Sequence, residues 1–215
     1  MTEAPFDLSQ TDKLLTTTRA VRKRLDLERP VDTQVILDCI DLAQQAPTGG
    51  NRQRWRWIVV TDPQKRREIA QTYIDGGREY LSGSGASDTP DPEQTARVRK
   101  SSRYLPEILA DVPALVIPCS LGRPEQLPIA GQASFYGSII PAIWSFNLAL
   151  RSRGLGTVYT TLHLNEEKRA AQILGIPDDA TQLALLPVAY TKGTEFKAVQ
   201  RPPVTEIVGI NGWPS

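Results

Sequence analysis

The stretch that most limits what this chain can become is "QASFYGSIIPAIWSFNLALRSRG", residues 132–154. It is apolar on nearly every side, and a helix without a polar face has to be buried, in a core or in an interface. Pro141 should bend it or open a gap in its hydrogen-bond ladder, and Gly154 ends it. The rest of the sequence has to supply the surfaces that cover it.

Several segments read as such surfaces. In "PVDTQVILDCIDLAQQA" (30–46), Val35, Ile36, Cys39, Ile40 and Ala43 recur at helical spacing, with Asp32 as N-cap. "WRWIVVT" and "DVPALVIPC" read as buried strands, being short, apolar and rich in β-branched residues. Asp62-Pro63 opens another helix. "TDKLLTTTRAVRKR" (11–24) is expected to be a helix capped by Thr11 or Asp12, with Leu14, Thr18, Val21 and Leu25 on one face. A polar helix is expected near 93–104. "GLGTVYTTL" (154–162) reads as a loop into a third strand and "NEEKRAAQILG" as a short helix capped by Asn165. "QLALLPVAYT" reads as a fourth strand, and Val204–Val208 as a short β-like run in a Pro-rich tail. Helices and strands interleave without a strict βαβ rhythm. The expected fold is therefore α+β, a three-layer domain with a mixed β-sheet flanked by helices, spanning 1–215 as one unit.

Charge and cysteine usage narrow the function. A net charge of +1 and a pI near 7.7 give no electrostatic reason to expect nucleic acid or an anionic membrane as partner. There is no run of eighteen apolar residues, and "MTEAPFDLSQTDK" lacks the basic and apolar regions of a signal peptide. Cys39 and Cys119 sit in apolar surroundings, as buried free thiols of a cytoplasmic protein do. His163 is the single histidine, and neither a G-x-S-x-G elbow nor a C-x-x-C occurs. A His-rich metal site is thereby excluded, and a hydrolase built on His163 is the outside reading. Chemistry in this protein is expected to come from a bound group rather than from its own side chains.

Three features could hold such a group. On a helix Arg19 and Arg22 would share a face, as a solvated basic surface or as a pair meeting a phosphate. Arg201, in the Pro-flanked tail, is a third cation. "APTGGN" (46–51) ends a helix on more glycine and hydrogen-bonding residues than a helix-to-strand connection needs. It is either an ordinary turn or a turn that lays main-chain N–H groups and the Asn51 amide against a flat polar ring, with Trp55 and Trp57 packed below. "GLGTVY" is not a dinucleotide fingerprint, since Tyr159 stands where the third glycine belongs and the segment runs from helix into strand.

Taken together, "TTRAVRKRLDLERPV", "APTGGNRQRWRWIVVTD", "LALRSRGLGTVYTTLHL" and "LLPVAY…QRPPVTEIV" resemble the FMN-dependent nitroreductase family, in order and spacing, over roughly residues 13–208. The resemblance implies an interlocked homodimer around FMN, with NADH or NADPH as hydride donor to flavin N5. A small acceptor such as a nitroaromatic or a quinone is then reduced in ping-pong order. It also admits other end reactions of the superfamily (dehalogenation, ene reduction, flavin breakdown) and a flavin-sequestering protein without turnover. The first block, Thr18-Arg19-Ala20-Val21-Arg22, implies that Arg19 takes the FMN phosphate and Arg22 the pyrimidine carbonyls. It departs from the family at Thr18, usually Arg, and Ala20, usually Ser. Pro47, Thr48, Gly49 and Asn51 match the loop that in this family reaches the partner subunit's flavin, with Arg54 in place of the family's Pro. Thr160, Thr161 and Leu162 match the segment whose backbone faces the flavin's reactive edge, and Arg201 the basic residue that closes on the phosphate. Residues 76–103 match nothing and are expected to form a variable insertion or lid, its loop at 82–92. The tail, 194–215, is expected to wrap the partner subunit.

Overall fold

The computed structural model describes residues 5–82 and 92–214. Its chain divides into two compact units, one of residues 19–194 and one formed by the two chain ends, up to Thr18 and from Glu195. The lid reading at 82–92 falls almost entirely outside the described residues.

In the unit of the chain ends, α1 (Leu8–Thr17) starts on Asp7, whose carboxylate accepts from Gln10 N at 3.2 Å. The expected helix over 11–24 is thus displaced, and it stops before either arginine. The cause is the run Thr16-Thr17-Thr18. Each hydroxyl turns back to a carbonyl four residues earlier (Asp12, Lys13 and Leu14), each at 2.6 Å. Three β-branched residues in a row make a poor helix interior, and such back-bonding loosens the last turn. The tail holds a 3₁₀ turn, Val204–Glu206, where a β-like run was expected, because Pro203 and the short span leave no strand to pair with. Val204, Ile207, Val208, Ile210 and Trp213 are all exposed, Trp213 by 94 %.

The larger unit is built on a sheet. After α2 (Thr33–Ala43), β1 (Trp55–Val60), α3 (Pro63–Gly76), α4 (Arg78–Ser82) and α5 (Pro92–Ile108) comes the central strand, β2 (Ala114–Leu121). Then follow α6 (Ile129–Ser152), β3 (Leu155–Gly156), α7 (Glu167–Leu174), β4 (Ala180–Gln182) and β5 (Leu186–Tyr190). The sheet order is β1-β2-β5-β3, with β4 also on β2. The α+β class is as expected, and among the described strands every pairing of the expected mixed sheet is antiparallel. Asp32 and Asp62 cap α2 and α3 as their sequences require.

The single strand expected over 182–191 is two. β2 pairs with β5 through Ala114–Val116 and with β4 through Cys119–Leu121. Between them Pro118 has no N–H to give, and its carbonyl takes Leu183 N at 2.9 Å. Leu185 pairs instead with Thr160, and the strand breaks there. Asn165 likewise does not cap α7. It lies in a 3₁₀ turn (Leu162–Glu166) and sends its amide elsewhere, whereas Gly175, in the left-handed region at φ 68°, closes α7.

The long apolar helix α6 runs unbroken through Pro141. One face carries Ile139, Ala142, Ile143, Phe146 and Leu150 into a core shared with α2, β2 and β5. The other leaves Ile140 and Trp144 each 45 % exposed, with Ile129 and Tyr136 alongside. By length and composition alone α6 is long and apolar enough to cross a membrane, a test that the core helix of a soluble protein also passes. Cys39 and Cys119 are buried free thiols, and burial pushes Cys119 up to about 12, which keeps it inert.

Candidate functional site

Because α1 ends at Thr17, Arg19 and Arg22 lie on an irregular strand-like segment and do not share a helical face. What fixes them is a main-chain bond, Val21 N to Thr157 O at 2.8 Å. The approach is close enough that a Cβ at Gly156 would meet Val21 Cβ at 3.0 Å and Thr191 Cγ2 at 2.7 Å. Further along, Leu25 bridges Thr191, and Arg24 Nε donates to Lys192 O at 2.9 Å. The fold therefore brings the first expected block against the third.

Around this junction Arg19 and Ala20 are exposed and Val21 is buried. Arg22 is half-buried, with an enclosed Nε that no described residue accepts from. Desolvation holds its guanidinium below the ordinary range, opposed by the phenols of Tyr73 and Tyr80. Tyr73, on α3, is buried and pushed up to about 12, mainly by that burial. The Thr157 hydroxyl is also enclosed, without a partner among the described residues. Buried polar groups in native proteins are satisfied, by water or ligand where not by protein. A cation and a hydroxyl left open on one seam suit a ligand that brings acceptors, as the carbonyls of a flavin ring would.

The segment 160–162 is held from both sides. Thr160 is buried, exchanges main-chain bonds with Leu185, and spends its hydroxyl on Leu185 O at 2.7 Å, so its side chain is committed to the fold. Thr161 is exposed and opens the following 3₁₀ turn, accepting from Leu164 N at 2.9 Å. Leu162 is half-buried against Gly76 and Gly77 at the end of α3. These glycines and Asn165 were not anticipated from the sequence, although "DGG" at 75–77 is an unusual end for a helix that is followed at once by another.

The 46–51 turn sits elsewhere. Gly49 N donates to Ser138 Oγ at 2.9 Å, and a Cβ at Gly49 would overlap Ser134 Oγ. Gly50 has φ 61° and Asn51 φ 51°, the left-handed region that Gly and Asn tolerate. Asn51 Oδ1 accepts from Gln53 Nε2 at 2.8 Å, and Pro47 and Thr48 lead in from the outer face. Trp55 beneath is buried and donates to Ser138 O at 2.8 Å, and Trp57 packs on Phe146. The excess of glycine is thus explained by close packing on α6 and by φ. From Ser138 to Ser152 the helix runs about 21 Å at 1.5 Å per residue, so within one chain this turn and the Arg22 seam lie toward opposite ends of α6. Arg201 is exposed, without regular structure, in the unit of the chain ends.

His163 offers no base. It is fully buried, neither ring nitrogen has a partner among the described residues, and burial pushes it down to about 4. Among the described residues no His, Cys, Asp and Glu cluster could hold a metal.

Comparison with known proteins agrees with this architecture. Rat iodotyrosine deiodinase 1 is 27 % identical over 201 residues, 91 % of this chain and 67 % of that protein. The structure of an oxidised iodotyrosine deiodinase bound to FMN and 3-iodo-L-tyrosine superposes with a TM-score of 0.71 at 20 % identity, over 94 % of this chain and 99 % of the other. An FMN and NADPH-dependent nitroreductase from Sphigopyxis sp. strain HMH gives 0.68 at 18 % identity, over 94 % and 99 %. A model of the nitroreductase family matches residues 15–190, and with the fold and the Arg22 seam in place, the chain belongs to the nitroreductase family.

Proposed function

We propose that the protein is a homodimeric, FMN-dependent oxidoreductase that takes electrons from NADH or NADPH and passes them to a small acceptor such as a nitroaromatic or a quinone. The observation that carries this reading is the enclosed Nε of Arg22, which no described residue accepts from, in the segment that Val21 ties to Thr157. When bound, FMN supplies the two-electron chemistry, which is why the chain needs no acid–base constellation of its own. Arg22 would hold the pyrimidine end and place a desolvated positive charge where negative charge accumulates on reduction. Arg19 would take the phosphate. The Thr160 and Thr161 main chain would flank the reactive edge, and the buried His163 beside it, kept neutral by burial, would add no charge there.

The homodimer is supported by two features. The outer face of α6, with Ile140 and Trp144, and Leu37 and Leu42 of α2 leave apolar surface uncovered. The 46–51 turn, seated on α6 at Ser138, would in this reading reach the flavin of a second copy. Sedimentation of the flavin-loaded protein should give a dimer at micromolar concentration, and a stable loaded monomer would contradict it.

A second reading has its own support. The deiodinase relative and the deiodinase structure favour reductive dehalogenation of a halogenated aromatic at the same flavin. Anaerobic titration of the FMN-loaded protein with NADH, then NADPH, followed by a nitroaromatic, a quinone or iodotyrosine, separates the readings. Bleaching by a nicotinamide and recovery by the first two acceptors fits the leading reading. Recovery by iodotyrosine alone, with release of iodide, fits the second. A flavin that neither nucleotide reduces contradicts nicotinamide-dependent turnover.

A further inference from the structure

We infer that the end of α3 is a positioning bracket for the proposed flavin-edge segment, in which Gly76 and Asn165 set where the 160–162 main chain stands. The inference rests on the reading of 160–162 given under Proposed function. Its basis is a set of contacts tighter than helix packing requires. A Cβ at Gly76 would overlap the carbonyl oxygen of Leu162 and come within 3.3 Å of its carbon, so only glycine lets that peptide lie against the helix. At Gly77 a Cβ would meet Leu162 Cδ1 at 2.7 Å and Tyr73 O at 2.9 Å. Asn165 closes the arrangement from the other side, its Nδ2 donating to Gly76 O at 2.6 Å. That bond answers a carbonyl at a helix C-terminus, where the last carbonyls have no partner within the helix.

The bracket is tied down where it meets α7. Asp75 takes Arg169 Nη1 at 2.8 Å and Arg78 Nη2 at 2.7 Å, with Gln71 Nε2 at 3.1 Å. One turn earlier on the same helix, Tyr73 is buried near Arg22. The last turn of α3 therefore bears on both parts of the junction: the Tyr73 phenol acts electrostatically on the cation, and Gly76 packs on the edge segment. A shift of this turn moves one relative to the other. Neither Gly76 nor Asn165 is proposed to touch the flavin. They act through Leu162 and its neighbours, and so through the field that the bound ring experiences.

The test compares Gly76→Ala, Asn165→Ala and, as a variant that loosens the core away from the bracket, Ile143→Val. The readouts are FMN affinity in both redox states, the flavin midpoint potential and the melting temperature. Both bracket variants should change the ratio of reduced to oxidised FMN affinity by about tenfold, which for a two-electron couple is about 30 mV, while Ile143→Val leaves the potential at the wild-type value. If Gly76→Ala does not fold, Asn165→Ala decides alone. Bracket variants that keep the wild-type potential and lose only thermal stability would overturn the inference and leave the flavin reading intact. A wild-type protein that binds no FMN would bring down the reading and this inference with it.

Discussion

Arg22 and Gly49 both mark expected flavin contacts, yet their surroundings are opposite in kind. Around Arg22 the chain encloses polar atoms and leaves them open, the guanidinium Nε and the Thr157 hydroxyl. Around Gly49 the polar groups are answered from within, Gly49 N by Ser138 and the Asn51 amide by Gln53. The first region is incomplete as it stands and the second is a finished turn. A residue pattern that is informative about a ligand does so by what it leaves unsatisfied, and glycine content alone does not carry that information.

This contrast makes definite demands on mutants. The largest effect belongs to the finished side. Trp55→Ala removes a buried side chain and its bond to Ser138, and should lower stability by about 3–5 kcal/mol. Thermal melting measures it, and a loss confined to FMN affinity would break the contrast. On the open side, Arg19→Ala and Arg22→Ala should each weaken FMN binding by about 1.5–3 kcal/mol, roughly one to two decades. Arg24→Ala should not, because Arg24 is already engaged with Lys192 O. Equal losses for the three in fluorescence titration would mean that the segment is only a basic surface.

His163 sharpens the comparison from beneath the edge segment. The unfolded chain takes up a proton at this ring below 6.5, which the folded chain refuses until about 4. Stability should therefore fall as pH drops through that window, by at most about 1.4 kcal/mol per pH unit. His163→Gln should flatten the slope in denaturant titrations. Asp75 acts in a separate window, since its arginine partners lower it from 3.8 to about 2 and its contribution is lost only below 3.8. The smallest effect is expected at Asn51. Asn51→Ala should cost about 1 kcal/mol of stability from its positive φ and the bond to Gln53, and Asn51→Gly less. Melting temperatures rank the two, and an Asn51→Ala that leaves stability unchanged would show the turn to be under no such constraint.

Much of the fold could be read along the chain because its signals are local. Asp32 and Asp62 mark helix starts, Val116 and its neighbours in β2 form a short apolar run, and α6 announces its need for burial. What could not be read there is decided between segments. Thr16, Thr17 and Thr18 end α1 by turning their hydroxyls inward, and the broken strand at 183–185 follows from Pro118 on a neighbouring strand. Arg22 was legible as a candidate site residue, but the helical face expected of it does not form, since α1 ends at Thr17 and Val21 is fixed by Thr157. Gly76 shows only the unusual "DGG" helix end and Asn165 no local sign, because the atoms they meet, the Leu162 carbonyl and the Gly76 carbonyl, lie on other segments.

The central claim is that the Arg22 seam of a nitroreductase-family chain holds FMN. The visible absorption spectrum of the purified protein, incubated with FMN and freed of excess by gel filtration, tests it most directly. The account predicts a stoichiometric yellow complex whose flavin bands differ from those of free FMN, and an Arg22→Ala protein that is folded but largely colourless. A folded wild-type protein that stays colourless after FMN is offered would contradict it.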